Sequence, residues 1–195
     1  VLSSLSLAQN LCQNWTETRA GNLDTAFLSE ASGMAASAIM ENRLYHTNDT
    51  WTPSPNFFIT DTTGQNLQTV TIEGVSNNPR INDIEDLDVG ECGDASCLFI
   101  GDIGDNLSSR PTINLLVIEE FTEVASSVPV KQYLRVQYPD GPHDSESLGV
   151  HPNGDIYILT KEGASILGTA PARLYKLPRD LWGNAGDEVL TLEFV

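Results

Sequence analysis

The chain has 195 residues, 40% of them hydrophobic and 19% charged, which places it among globular rather than disordered proteins. Ten basic residues stand against 27 acidic ones, a net charge of −17. That balance excludes the Lys/Arg patches wanted by nucleic acid or an anionic membrane surface and favours divalent cations or cationic partners; a carboxylate surplus also keeps a protein soluble with no further role. No run of 18 apolar residues occurs, so no transmembrane helix is expected.

In chain order, residues 1–28 read as an N-terminal extension. The opening "VLSSLSLAQ" reads either as the tail of a signal peptide or as a mature N-terminus. Cys12 and the Asn-X-Ser/Thr sequon at Asn14 lie here, and further sequons stand at Asn48 and Asn106. Asp24–Ala38 carries the only hint of a helical period and reads better as a loop entering a strand.

From Ser29 onward three stretches align with one another. The first runs "SEASGMAAS", "NRLYHTND", "NFFITDTTG", "LQTVTIEGV"; the second "IEDLDVG", "SCLFIGDIGDN", "TINLLVIEE", "YLRVQYP"; the third "SESLGVHP", "GDIYILTKEG", "ARLYKLP", "EVLTLEFV". Each piece is short, rich in Leu, Ile, Val, Tyr or Phe, and bounded by Asn, Asp and Gly, as strands require. Each unit is therefore strand–strand–strand–strand. Cys92 and Cys97 bracket a four-residue turn in the second unit, a spacing suited to a hairpin disulfide. With the acidity, that pairing points to an extracellular setting, with Cys12 left over.

A glutamate marks the register. Glu30, Glu85 and Glu146 each open the first strand of a unit, 55 and 61 residues apart. Four-stranded units at such a period are the signature of β-propeller blades, whose innermost strands line a central channel. The expected fold is all-β, a β-propeller with three four-stranded blades at about 29–80, 81–140 and 141–195. A sandwich of two sheets would not need the same glutamate three times. Propellers typically close with four to eight blades, so three are expected to form half of a six-bladed ring. Missing sequence, a second copy or another chain would complete it.

"HTNDT" (His46 to Thr50), "IEDLDVG" (Ile84 to Gly90), "FIGDIGDN" (Phe99 to Asn106), "YPDGPHDSESL" (Tyr138 to Leu148) and "GDIYILTK" (Gly154 to Lys161) resemble the motifs HNDS, WEDIA, YVGDIGDN, YPDGxHDxEAL and GxLYVVTK. These belong to a family of secreted propeller proteins of broadly unassigned function. The resemblance covers most of Ser29 to Leu177 and implies a propeller fold with an acidic channel site. Ile84 stands where that family commonly has Trp, and Thr47 interrupts the HND element.

The acids at predicted strand ends are Glu30, Asp49, Glu85, Asp86, Asp102, Asp105, Asp144 and Glu146. Carboxylates converging on one narrow channel repel unless a cation or raised pKa values relieve them. Hard oxygen donors in this density suit calcium, which takes six to eight oxygens at about 2.3–2.6 Å; Asp and Asn also cap turns with no ion present. No EF-hand, zinc-ligand spacing, phosphate loop or Gly-X-Ser-X-Gly elbow occurs, and Ser145 and Ser147 have no triad. His143 beside Asp144 is the acid–base candidate; His151 reads as a turn residue, and Lys161 as a cation facing the acids. Trp15, Trp51 and Trp182 either stack on sugars or cover blade flanks. Two functions follow. One is a secreted, glycosylated, calcium-binding module for extracellular binding or assembly, its partner a glycan, another protein or itself. The other is a metal-dependent hydrolase or lactonase with its site on the propeller axis.

Overall fold

The computed structural model describes residues 18–24, 26–49, 55–75, 78, 81, 83–161, 164–165, 168–169 and 171–195. Cys12, Asn14, Trp15, Thr50 and Trp51 lie outside them. The protein is all-β, built on three mostly antiparallel sheets.

The first sheet is the meander β1 (Ala31–Ala36), β2 (Arg43–Asn48), β3 (Asn56–Asp61) and β4 (Gln68–Glu73). The second is β5 (Ile84–Glu91), β6 (Ser96–Asp102), β7 (Ile113–Glu119) and β9 (Gln132–Gln137). The third is β10 (Ser145–Val150), β11 (Ile156–Thr160), β14 (Leu174–Leu177) and β16 (Glu193–Phe194). Between β11 and β14 lies a small hairpin, β12 (Ala164–Ser165) with β13 (Gly168–Thr169). Eleven of these strands fill the stretches the sequence assigns to them, and β16 keeps only the end of its own.

One piece divides differently. "EVLTLEFV" is read from sequence as a single strand of the third unit, but it splits into two. Its first part, β15 (Val189–Thr191), leaves its own sheet and pairs parallel with β9, placing Leu190 opposite Val136. The same device occurs one sheet earlier: β8 (Ser127–Pro129), from the connection between β7 and β9, pairs parallel with β4, placing Val128 opposite Ile72. Each three-residue strand buries its middle apolar residue, Val128 or Leu190. The loop between the third and fourth strands of one unit thus seals the outer edge of the sheet before it, satisfying backbone groups that an edge leaves open. In the first sheet that loop is a tight turn instead. There Asp61 Oδ1 accepts from the backbone N–H groups of Thr63 (2.8 Å) and Gln65 (3.0 Å), and Gly64 and Asn66 take positive φ.

The sheets stack, and the order explains the composition of β6 and β7. Tyr45, Phe57, Ile59, Val70 and Ile72 of the first sheet pack on Leu87, Leu98, Ile100, Leu116 and Ile118 of the second. From the other face of the second sheet, Phe99, Leu115, Val117, Leu134 and Val136 pack on Leu148, Ile156, Ile158, Tyr175 and Leu177 of the third. A sheet covered on both faces must be apolar at successive positions, so "SCLFI" and "INLLVI" run without alternation. Beyond β14, the short helix α1 (Arg179–Trp182) drops Trp182 edge-on to Phe99 at 5.4 Å, with its indole N–H donating to the Gly154 carbonyl at 2.9 Å. Trp182 therefore covers a sheet flank.

The first strands of the three units pack side by side with β5 in the middle, and carboxylates stitch the seams. Asp86 accepts from the Leu87 N–H and, across the seam, from the Leu148 N–H of β10, both at 2.8 Å. Asp88 repeats the bridge with Val89 (2.8 Å) and Val150 (2.7 Å). Each aspartate thus satisfies an amide on the open edge of two neighbouring strands. Asp86→Asn keeps one acceptor but turns an NH2 donor toward an amide N–H. It is expected to cost about 1–2 kcal/mol in urea unfolding, with Asp86 and Asp88 more than additive when replaced together; an unchanged midpoint would remove the bridge as a stabilising element.

The predicted Cys92–Cys97 disulfide forms, with Cα atoms 5.7 Å apart. It closes a short loop at the β5–β6 turn, where the Cys92 N–H already donates to the Ala95 carbonyl (2.9 Å). Replacing both cysteines by serine is expected to cost roughly 2 kcal/mol or less, because little chain entropy is removed by so short a loop. Unfolding in urea with and without reductant measures it.

Candidate functional site

The site lies at the end of the fold where β1, β5 and β10 begin. All three first strands carry a register irregularity there. In β5, Ile84 faces Asp102 and Asp86 faces Gly101, leaving Glu85 as the extra residue; in β10, Ser145 faces Thr160 and Ser147 faces Leu159, leaving Glu146 as the extra residue. A bulge re-aims the side chain it carries, and these two turn toward each other: the Glu85 and Glu146 carboxyls share a hydrogen bond.

Carboxyl oxygens of Asp49, Asp83 and Glu85 all lie within 4.8 Å of one another. Asp49 follows β2, Asp83 precedes β5, and Glu85 is only 2% exposed. Thr47 Oγ1 accepts from the Gly33 N–H (2.8 Å) and donates to the Glu85 carbonyl (3.2 Å), fixing β2 against β5. Glu30 is tied to the same corner: its N–H donates to Asn48 Oδ1 (2.8 Å), and its carbonyl accepts from the Asp49 N–H (2.9 Å).

The "GDIGDN" loop closes over this corner. A β-carbon on Gly104 would stand 2.5 Å from both Asp83 Oδ2 and Glu85 Oε1, so only glycine lets the loop pass this close. The Gly104 N–H donates to the Asp83 carbonyl (3.2 Å), and the Asp105 N–H to Asp144 Oδ1 (2.7 Å). Arg110 holds the loop from below, donating to the Gly104 carbonyl, pairing with buried Asp102, and giving its backbone N–H to Asp105 Oδ2 (2.7 Å). Asp102 also accepts from the Asp83 N–H (2.7 Å) and from Asn114.

Crowding and burial in this corner disfavour the charged form of Glu85, Asp49 and Asp83. Burial, then Asp49, Glu146 and Asp83, push Glu85 up to about 8. Burial and the Glu30, Glu146 and Asp144 charges raise Asp49, offset in part by Lys161. Asp83 is raised by burial and Asp49, with Arg110 opposing. Lys161 pairs with Glu146, the countercharge at the open side.

The sequence-predicted acids therefore divide. Glu30, Asp49, Glu85, Asp144 and Glu146 gather at this mouth. Asp86 is engaged by the β5–β10 seam, Asp102 by Arg110 and Asn114, and Asp105 by the Arg110 amide, so their oxygens serve the scaffold. Asp83 belongs to the closest trio and is missed by sequence reading; its spacing of two from Glu85 along an extended chain is the available signal. His143 lies in a separate cluster, its Nε2 3.0 Å from Asp140 Oδ1 and 3.1 Å from Tyr175 Oη, with the Tyr138 ring edge-on at 5.0 Å. Ser145 shares a 2.7 Å hydrogen bond with Tyr138, not with a histidine. Of the sequons, Asn48 sits half-buried in β2 and Asn106 in an exposed turn. No helix among the described residues is long and apolar enough to cross a membrane.

Comparison with protein-family models and with curated proteins finds no match to this chain.

Proposed function

We propose that the three sheets are consecutive blades of a β-propeller and that the mouth formed by their first strands is a calcium site in a secreted binding or assembly module. The repeated strand order, the bulged glutamates and the twice-used parallel strand β8/β15 support the blade reading. The observation that carries the cation is the trio of carboxyl oxygens from Asp49, Asp83 and Glu85 within 4.8 Å, roofed by a glycine whose β-carbon would fill the space. All-oxygen donors with net negative charge are the ligand chemistry of calcium. The Cys92–Cys97 disulfide suits an oxidising compartment. The outer face of the third sheet, where Leu159 (41% exposed) and Leu174 (36%) stand beside the Lys176–Glu193 ion pair, suits a further sheet or partner chain.

Calcium titrated into chelator-treated protein is expected to bind with one site and to raise the melting temperature. Gly104→Ala, by pushing Asp83 and Glu85 apart, is expected to weaken that binding at least tenfold. Wild-type protein showing no calcium-dependent change in heat or melting would end the cation reading.

A second reading rests on Glu85. A carboxyl that keeps its proton near neutral pH is suited to general acid catalysis, and it would serve a hydrolase or lactonase whose cation is held by the neighbouring carboxylates and not by Glu85 itself. His143, held by Asp140 and Tyr175, stands outside that corner. Glu85→Gln is expected to leave folding intact and to abolish turnover of an ester or lactone panel only under this reading.

A further inference from the structure

Resting on the reading of the protein as secreted, we propose that Asn106 carries an N-linked glycan and that Asn48 does not. The two sequons differ in what the fold leaves around them. Asn106 is exposed at the first position of the Asn106–Leu107–Ser108 turn, and the Ser108 N–H closes that turn on the Asp105 carbonyl at 2.7 Å. The neighbouring residues Leu107, Ser108 and Ser109 are exposed as well, so a bulky sugar meets only solvent. Leu107 is 86% exposed, the most exposed large apolar side chain among the described residues. A leucine in this position costs solubility and contributes nothing to the core, and the apolar face of a first N-acetylglucosamine is the surface that would cover it.

Asn48 is built the other way. It ends β2, pairs with Ala31 across the ladder, and its side-chain carbonyl accepts from the Glu30 N–H at 2.8 Å. A sugar on its amide nitrogen would crowd a half-buried side chain already committed to the Glu30 backbone. A glycan at Asn106 instead stands at the rim, one residue beyond Asp105 and its contact with Asp144, where it screens the mouth without filling it.

The test uses the full chain expressed behind a secretory signal in a eukaryotic host. Enzymatic deglycosylation in heavy-oxygen water converts each occupied asparagine to labelled aspartate, read by peptide mass spectrometry. Label on Asn106 in most molecules and none on Asn48 is the expected result. Asn106→Gln and Ser108→Ala should each remove that glycan's mass from the intact protein while leaving the melting curve in place. Unlabelled Asn106 in protein that retains the Cys92–Cys97 disulfide overturns the assignment, as does label on Asn48. Free thiols at Cys92 and Cys97 in protein taken from its natural source would instead overturn the secreted reading, and the glycan with it.

Discussion

Arg110→Ala is expected to destabilise the fold by about 3–5 kcal/mol, the cost of breaking a buried ion pair and leaving its carboxylate behind. Asp102 has no exposed side-chain surface, and Arg110 is 16% exposed. Without the guanidinium, Asp102 keeps the Asp83 N–H and the Asn114 amide against a full buried charge. The Gly104 carbonyl also loses a donor, so the roof over Asp83 and Glu85 loosens. Arg110→Lys keeps the charge but not the fork that reaches both Asp102 and Gly104, and should fall between wild type and alanine. Equilibrium urea unfolding measures the series. A loss below about 1 kcal/mol for alanine would mean that the Asp83 N–H and the Asn114 amide satisfy Asp102 without Arg110.

Arg110 also shows where sequence reading stops. The strands were legible because each is a short apolar run between Asn, Asp and Gly, and the stacking order follows from β6 and β7 being apolar on both faces. β8 and β15 were not legible: a three-residue strand with one buried residue, Val128 or Leu190, has no period of its own, and its partner lies far away in sequence. The glutamate register was legible as a spacing, and Glu85 and Glu146 do meet. What spacing could not supply was the bulge at each of them, which breaks the alternation of side chains along the strand. Sequence alone therefore could not separate Glu85, aimed into the mouth, from Asp86, aimed into the seam. Nor could it separate Asp83, a member of the trio, from Asp102 and Asp105, whose oxygens are taken by Arg110, a cation several residues further on.

The pH dependence of stability should reverse its direction with calcium. Glu85 is pushed up to about 8, chiefly by burial and then by Asp49, Glu146 and Asp83. In the unfolded chain a glutamate ionises near 4.3, so between about pH 4.5 and 8 the folded state holds a proton that the unfolded state has released. Stability is then fully present below the unfolded value and is lost as pH rises through the folded one. Asp49 and Asp83, also raised, act in the same direction. His46 opposes them: burial lowers its pKa, so stability falls as pH drops through the usual histidine range near 6.5. Above pH 6.5 the His46 effect fades and Glu85 dominates the slope. In chelator, stability is expected to fall by roughly 1.5 kcal/mol from pH 6.5 to 8, the slope starting near 1.4 kcal/mol per unit for one proton and halving by pH 8. Bound calcium expels that proton, so its affinity should rise roughly 15-fold over the same interval, and saturated protein should hold or gain stability. Glu85→Gln should flatten the chelator curve. Urea unfolding at fixed pH steps, with calorimetric calcium titration in parallel, reads both slopes. A chelator curve already flat in wild type would show that Glu85 is ionised when folded, and that Lys161 or water, not a retained proton, neutralises the mouth.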